Sequence, residues 1–340
     1  MKEVCGVQAQ DASAAALAVR VRSAGLTAAD VEHARLDTRS VVRTWCMRGT
    51  LHLVATEDLG WLLTLLGPVF VAASRPRLTQ LKLDEDTCAK GIRIIRNALA
   101  KQGPLTRHEL ARQLGPHGIN TMGQAPIHLI GRAALEGIVC LGPDRGAKPT
   151  YVLIEDWIGR QRAMPPDAAR AELARRYLNA YGPAGPHDLA AWSGLTIREA
   201  RTAWKFIADQ LIEVEVASRP AWLLKTQAAW LDEPPARRPI VRLLPSFDTY
   251  LLGYSSRDLA VAPQHAKRIH PGGGLLRPTL LVDGRALGTW SIKRHRDRFD
   301  VVVAPFDDLP SNVHPRLQAE AKDLARFLGV RTTLSVMESL

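Results

Sequence analysis

The chain has 340 residues, 46% of them hydrophobic, and carries 45 Lys and Arg against 34 Asp and Glu for a formal charge of +11. That length suits two or three compact domains, and the composition describes a globular protein, not a disordered tail or a membrane protein. A balance this basic points to a polyanion, nucleic acid ahead of a membrane surface; Arg-rich composition from a GC-rich genome is the alternative source of the charge.

The N-terminus, Met1 to Cys5, has no apolar signal region, so a cytoplasmic location is expected. Two helices, Ala12 to Ala24 and Thr27 to Ala34, precede strand-like Val41–Trp45 and Thr50–Val54. The longest apolar stretch, Leu59 to Ala73, is interrupted by Pro68 and reads as a core helix too short to span a bilayer. An internal repeat follows. Gly103-Pro104-Leu105-Thr106-Arg107-His108-Glu109-Leu110-Ala111 recurs as Gly182-Pro183-Ala184-Gly185-Pro186-His187-Asp188-Leu189-Ala190, each after an amphipathic helix (Ile92 to Ala100, Ala169 to Ala180). Gly-Pro ends that helix, a short polar helix starts near His108 or His187, and a turn leads to another helix. In the second copy this last helix is Thr196 to Gln210, with Thr196 and Glu199 spaced as a capping box. The two histidines read as structural residues near helix starts.

Each copy ends in a hairpin: Gly137–Leu141 with Thr150–Ile154, and Leu211–Val216 with Ala221–Lys225. Three helices and a hairpin is the winged-helix order, used for DNA and also for protein contacts. A third, less regular copy is expected in the first hundred residues. Glu233 to Pro239 reads as a linker, followed by strands Ile240–Leu244, Thr279–Val282, Ala286–Ile292 and Phe299–Val303, with Asp283-Gly284 and Arg296-Asp297 as turns. A closing helix, Pro315 to Leu328, and a strand, Thr332 to Val336, complete an α+β chain. The expected units are 1–90, 91–160, 161–232 and 233–340, the last an antiparallel barrel or sheet.

No Walker loop, GxGxxG, HExxH, GxSxG or zinc-deaminase pattern occurs, and Gly272–Gly274 read as a loop. Cys5, Cys46, Cys88 and Cys140 form no CxxC and no paired spacing to histidine, so no metal and no disulfide framework is expected. Four other segments are more informative. Gly6-Val7-Gln8-Ala9-Gln10-Asp11, Arg43-Thr44-Trp45-Cys46-Met47-Arg48-Gly49-Thr50-Leu51-His52-Leu53, Leu244-Pro245-Ser246-Phe247-Asp248-Thr249-Tyr250-Leu251-Leu252-Gly253-Tyr254, and Asp283-Gly284-Arg285 with Gly288-Thr289-Trp290, in that order, resemble the AlkZ/YcaQ family of winged-helix DNA glycosylases.

The resemblance spans nearly the whole chain. It implies tandem winged helices arranged around a C-terminal β-barrel, and removal of alkylated purines, typically N7-alkylguanine, with unhooking of interstrand crosslinks in some members. It implies a Gln-x-Gln catalytic motif, matched by Gln8 and Gln10, where the YcaQ-like branch has Asp at the last position. Family chains usually carry a further helical segment before this motif, whereas Gln8 is the eighth residue here.

An N7-alkylated guanine is already cationic and leaves as a neutral base, so the demand is for a positioned water and dipoles that favour a sugar cation. A glutamine oxygen accepts from water without acting as a base. No lysine or terminal amine is required, so a monofunctional glycosylase without cofactor is expected. Without the other segments, two glutamines at i, i+2 before an Ala-rich helix would read as solvated helix-start residues.

His52, between Leu51 and Leu53 on a strand, faces DNA or solvent. Arg48, at the hairpin turn, contacts phosphate or is an exposed turn residue. Asp248 orients a catalytic group or braces its loop. Lys293, Arg294, Arg296 and Arg298 form a basic tip fit for phosphate contacts or the minor groove, or a solvated turn. The expected partner is double-stranded DNA with alkylated or crosslinked bases, bound by a monomer in the nucleoid, with no membrane. The rival is a non-catalytic winged-helix DNA-binding protein or regulator.

Overall fold

A computed structural model describes residues 1–296 and 298–338. Its first elements are β1 (Val7–Gln8), α1 (Ala12–Arg20), α2 (Ala28–Leu36), β2 (Val41–Trp45), β3 (Leu51–Ala55), α3 (Leu59–Gln80) and α4 (Glu85–Gln102). Next come β4 (Leu105–Thr106), α5 (Arg107–Leu114), α6 (Ala125–Leu135), β5 (Val139–Leu141), β6 (Thr150–Leu153), α7 (Ile154–Ile158), α8 (Pro166–Tyr181), α9 (Pro186–Ser193) and α10 (Ile197–Lys205). The remainder holds β7 (Leu211–Val216), β8 (Arg219–Leu224), β9 (Val241–Leu244), α11 (Thr249–Leu252), α12 (Ala266–Ile269), β10 (Thr279–Val282), β11 (Arg285–Arg294), β12 (Arg298–Pro305), α13 (His314–Leu328) and β13 (Arg331–Val336). The chain is thus mixed α+β.

Two compact units emerge, each assembled from separate stretches. One takes Met1–Gly6, His33–Ala180 and Ser193–Gln210; the other takes Val7–Glu32, Tyr181–Trp192 and Leu211–Leu340.

In the first unit, β3, β2, β5, β6 and β4 are neighbours in one sheet, joined by antiparallel pairs such as Thr44 opposite His52 and Cys140 opposite Val152. Its core gathers Ile92, Ile95 and Leu99 of α4, Leu110 and Leu114 of α5, and Leu129, Ile130 and Ala133 of α6. Thr106 and Glu109 form a reciprocal capping box at the start of α5, and Thr196 and Glu199 form the same device at α10. The orphan amides at both helix starts are therefore satisfied by side chains one turn away.

The apolar run forms the expected core helix, which extends beyond Ala73 to Gln80. α3 runs unbroken for 22 residues through Pro68 and Pro76. Trp61, Leu62, Leu63, Leu65, Leu66 and Phe70 are buried, and that burial outweighs the ~3 kcal/mol that an interior proline costs. By length and composition this helix could cross a bilayer, but much of it is inside the protein. Gly67 permits its close packing on α6, since an added Cβ would lie 2.3 Å from the Leu135 carbonyl oxygen.

The second unit is organised by a five-stranded sheet in the order β13, β12, β11, β10, β9. It is open, with β9 and β13 as its edges, so the closed-barrel alternative does not describe it. Nor is it wholly antiparallel: β13 returns beside β12 in parallel, reached by the crossover through α13 that a parallel pair needs. Gly288 allows β11 and β12 to approach, its would-be Cβ falling 2.7 Å from the Ala304 carbonyl oxygen. Trp290, on the same strand, donates from Nε1 to the Leu244 carbonyl at 2.7 Å. Buried Arg20 of α1 donates to Glu320 at 2.7 Å, Asp323 at 3.0 Å and the Leu243 carbonyl at 3.2 Å, pinning α1 to α13 and β9. The hairpin β7–β8 pairs Leu211 with Leu224 through Val216 with Arg219. The expected turn at Arg296-Asp297 includes Asp297, which lies outside the described residues.

Candidate active site

The glutamine motif occupies a strand-to-helix junction. Cys5 and Gly6 both have positive φ, 52° and 100°, and the bend needs glycine because a Cβ at Gly6 would sit 2.9 Å from Val54. Gln8 ends β1 and is 8% exposed, Ala9 is fully buried, and Gln10 is exposed. Asp11 then caps α1, accepting from Ser13 N at 2.8 Å and Ala14 N at 3.1 Å. A buried middle residue between a strand end and a capped helix fixes the direction of both flanking side chains. The two amides meet directly: Gln8 Nε2 donates to Gln10 Oε1 at 2.8 Å. Neither amide titrates, so the pair presents a fixed, neutral, strongly dipolar surface.

Asp248 lies in the same unit and is fully buried. Its Oδ1 caps α11 through Tyr250 N at 2.9 Å, and its carboxylate takes a two-pronged bond from Arg22, at 2.6 and 2.8 Å. Arg22 also donates to the Ala18 carbonyl at 3.0 Å. Asp248 therefore braces its loop against the end of α1. Sequence reasoning did not find Arg22, because an arginine 226 positions away leaves no local signal.

Arg48 and His52 belong to the first unit. Arg48 adopts a left-handed backbone, φ 54°, in the turn between β2 and β3. The outward orientation expected for His52 is not found: the side chain is 1% exposed, because the residues of β3 from His52 to Ala55 are all buried. Alternation assigns a strand face but does not reveal that both faces are covered. His52 Nδ1 lies 3.0 Å from the Thr50 carbonyl, so it carries the proton and Nε2 accepts, 3.5 Å from Arg48 Nη2. Burial, reinforced by the Arg48 charge and opposed by the Thr50 carbonyl, lowers its pKa to about 3. His52 is a neutral imidazole that holds a guanidinium.

The basic tip is a true hairpin. Lys293 pairs with Asp300 and Arg294 with Phe299, and Lys293, Arg294, Arg296 and Arg298 are all exposed. Arg298 Nε donates to Asp300 Oδ1 at 3.2 Å, His295 Nε2 lies 2.6 Å from Asp300 Oδ2, and the Arg294 guanidinium lies 5.5 Å from the Phe299 ring centre. One carboxylate thus stiffens the tip.

The cysteines offer no nucleophile. All four are free and buried, and burial pushes the Cys46 and Cys140 thiols up to about 12 and Cys5 higher still. Among the described residues no group of His, Cys, Asp and Glu could hold a metal ion. A cleft of about 1190 Å³ on the first unit, lined by Arg39, Trp157, Arg160, Arg162, Asp58 and Arg176 among others, contains none of the residues singled out by sequence. Inside it Arg176 is tied to Asp58 at 3.0 Å and to Glu172 at 2.7 Å.

Comparison with known proteins completes the picture. A family model described as DNA glycosylase AlkZ-like matches residues 1–327. An interstrand DNA cross-link repair glycosylase from Streptomyces sahachiroi is 32% identical over 347 positions, covering 96% of this chain and 89% of that protein. The solved structure of the Streptomyces sahachiroi DNA glycosylase AlkZ superposes with a TM-score of 0.85 at 29% identity, covering 99% of this chain and 92% of that one. With its four motif segments in order and a family match along nearly its full length, the chain belongs to the AlkZ-like DNA glycosylases, enzymes that hydrolyse N-glycosyl bonds.

Proposed function

We propose that this chain removes alkylated purines, N7-alkylguanine first among them, from double-stranded DNA and unhooks interstrand crosslinks, as a monofunctional glycosylase working as a monomer on the nucleoid. The observation that carries this reading is the pair of touching amides, Gln8 and Gln10, held at a rigid strand-to-helix junction. The lesion's positive charge makes the base a neutral leaving group. What the protein must add is a water placed at C1′ and negative dipole density facing the sugar cation. Two amide groups supply both without a proton transfer to the leaving base.

The remaining residues serve the substrate. Lys293, Arg294, Arg296 and Arg298 on an exposed hairpin contact phosphates or enter a minor groove. Arg48 contacts the backbone, with His52 behind it, and Asp248 supports the end of α1. The repeats α4–β6 and α8–β8 have the element order of winged helices, modules that suit duplex DNA. The name of the Streptomyces sahachiroi relative supports the crosslink substrate.

The test is incubation with duplex DNA carrying one N7-methylguanine, scoring free base and alkali-labile sites. Release by wild type, lost at least ~100-fold in both Gln8→Ala and Gln10→Ala with DNA affinity retained, supports the reading. Tight binding without base release sinks it.

A further inference from the structure

We infer that the two glutamines are not equivalent: Gln8 is a positioning residue whose amide nitrogen orients Gln10, and Gln10 alone meets water and the sugar. The inference rests on the proposed glutamine mechanism and adds a direction to it.

Three observations carry it. Gln8 is 8% exposed whereas Gln10 is exposed, so only one of the two side chains is open to a substrate-sized group. The hydrogen bond between them is directed, with Gln8 Nε2–H as donor and Gln10 Oε1 as acceptor at 2.8 Å. Ala9, fully buried between them, and Asp11, capping α1 immediately after, lock the backbone on both sides of Gln10. An amide oxygen has two lone pairs, so accepting from Gln8 fixes its orientation without exhausting it. Accepting that bond also polarises the Gln10 amide, concentrating negative charge on the oxygen. Water held by that oxygen is held in one place because Gln8 holds the oxygen in one place.

The direction of the bond makes the two positions respond differently to the same change. A carboxylate at position 10 still accepts from Gln8, so Gln10→Glu keeps the arrangement. Any residue at position 8 that lacks the N–H loses it. Gln8→Met removes the donor at similar volume and without burying a charge, which keeps the fold.

The experiment is single-turnover release of N7-methylguanine from duplex DNA by wild type, Gln8→Met, Gln10→Ala, Gln10→Glu and the Gln8→Met/Gln10→Ala double variant, at pH 5 to 9 and saturating enzyme. Gln10→Glu is expected within ~10-fold of wild type, with release gaining an acid limb as the new carboxylate protonates. Gln8→Met alone is expected to lose ~100-fold, and to lose less than ~3-fold more when Gln10 is already alanine, because a residue acting through another has no further effect once that other is gone. A general structural role for Gln8 would add in full to the Gln10→Ala loss, and that additivity overturns the inference. So does a Gln10→Glu variant as inactive as Gln10→Ala. In both cases loss in Gln10→Ala itself leaves the glutamine mechanism standing. Wild-type release by every variant overturns the inference and the mechanism together.

Discussion

Protonating the chain should reveal His52 through stability before it reveals anything through catalysis. The imidazole is 1% exposed, with Nδ1 3.0 Å from the Thr50 carbonyl and Nε2 3.5 Å from Arg48. Burial first, then the Arg48 charge, hold its pKa at about 3 against the pull of the Thr50 carbonyl, whereas histidine in an unfolded chain titrates near 6.5. Between those values the unfolded state binds a proton that the native state refuses. Stability therefore falls as pH falls, by up to ~1.4 kcal/mol per pH unit for this one proton. Integrated from pH 6.5 to pH 5, the loss is ~1.7 kcal/mol. The assay is urea unfolding of wild type and His52→Gln across pH 5 to 8, taking the difference at each pH so that the other histidines cancel. The variant should be less stable at pH 8 and close ~1.7 kcal/mol of that gap between pH 6.5 and pH 5. A gap constant across the range would refute the buried, neutral assignment, as would a His52 ring resonance that titrates above pH 5.

Two further outcomes follow from other parts of the fold. Asp248→Ala should cost ~4 kcal/mol of unfolding free energy, ~3 for leaving the Arg22 charge without its buried partner and ~1 for the lost cap on Tyr250 N; Asp248→Asn should cost ~1 kcal/mol less because it retains the cap acceptor, and a loss under ~1 kcal/mol for the alanine variant contradicts the bracing role. Lys293→Ala with Arg294→Ala should make the slope of log affinity against log salt ~1.8 less negative while leaving release at saturating DNA within ~3-fold, and an unchanged slope in a fluorescence titration removes the hairpin from the DNA surface.

What was legible in the sequence was what local chemistry dictates. The Gly-Pro repeat announced two equivalent helix breaks, and Thr196 with Glu199 announced a capping box that forms as expected. Strand Thr279–Val282 was placed to the residue, since Asp283-Gly284 leaves the turn little choice. Failures came where tertiary packing decides. The apolar run ends at Ala73, yet the leucines around Pro68 bury enough surface to carry α3 through it and on to Gln80. The parallel entry of β13 depends on which edge of the sheet remains open after α13, which no periodicity encodes. In the candidate site, Gln8 and Gln10 were found through the resemblance, but the bond between them was not. A Gln-x-Gln spacing on a strand puts both side chains on one face but does not bring them into contact; β1 ends at Gln8, and the turn into α1 closes the two amides to 2.8 Å.

The same geometry resolves a conflict built into the composition. A charge of +11 favours binding a polyanion, but hydrolysis of a glycosidic bond through a sugar cation calls for negative potential at C1′. A carboxylate supplies that potential over a long range and would also repel the phosphates that the basic residues attract. An amide oxygen supplies it only within contact distance, because a dipole's field decays faster than a charge's. On the proposed mechanism, two aligned amides therefore favour the transition state without weakening the DNA complex that precedes it. The arrangement is sufficient only for a leaving group that needs no proton, which ties the lack of a proton donor at Gln8 and Gln10 to a base already made cationic by alkylation.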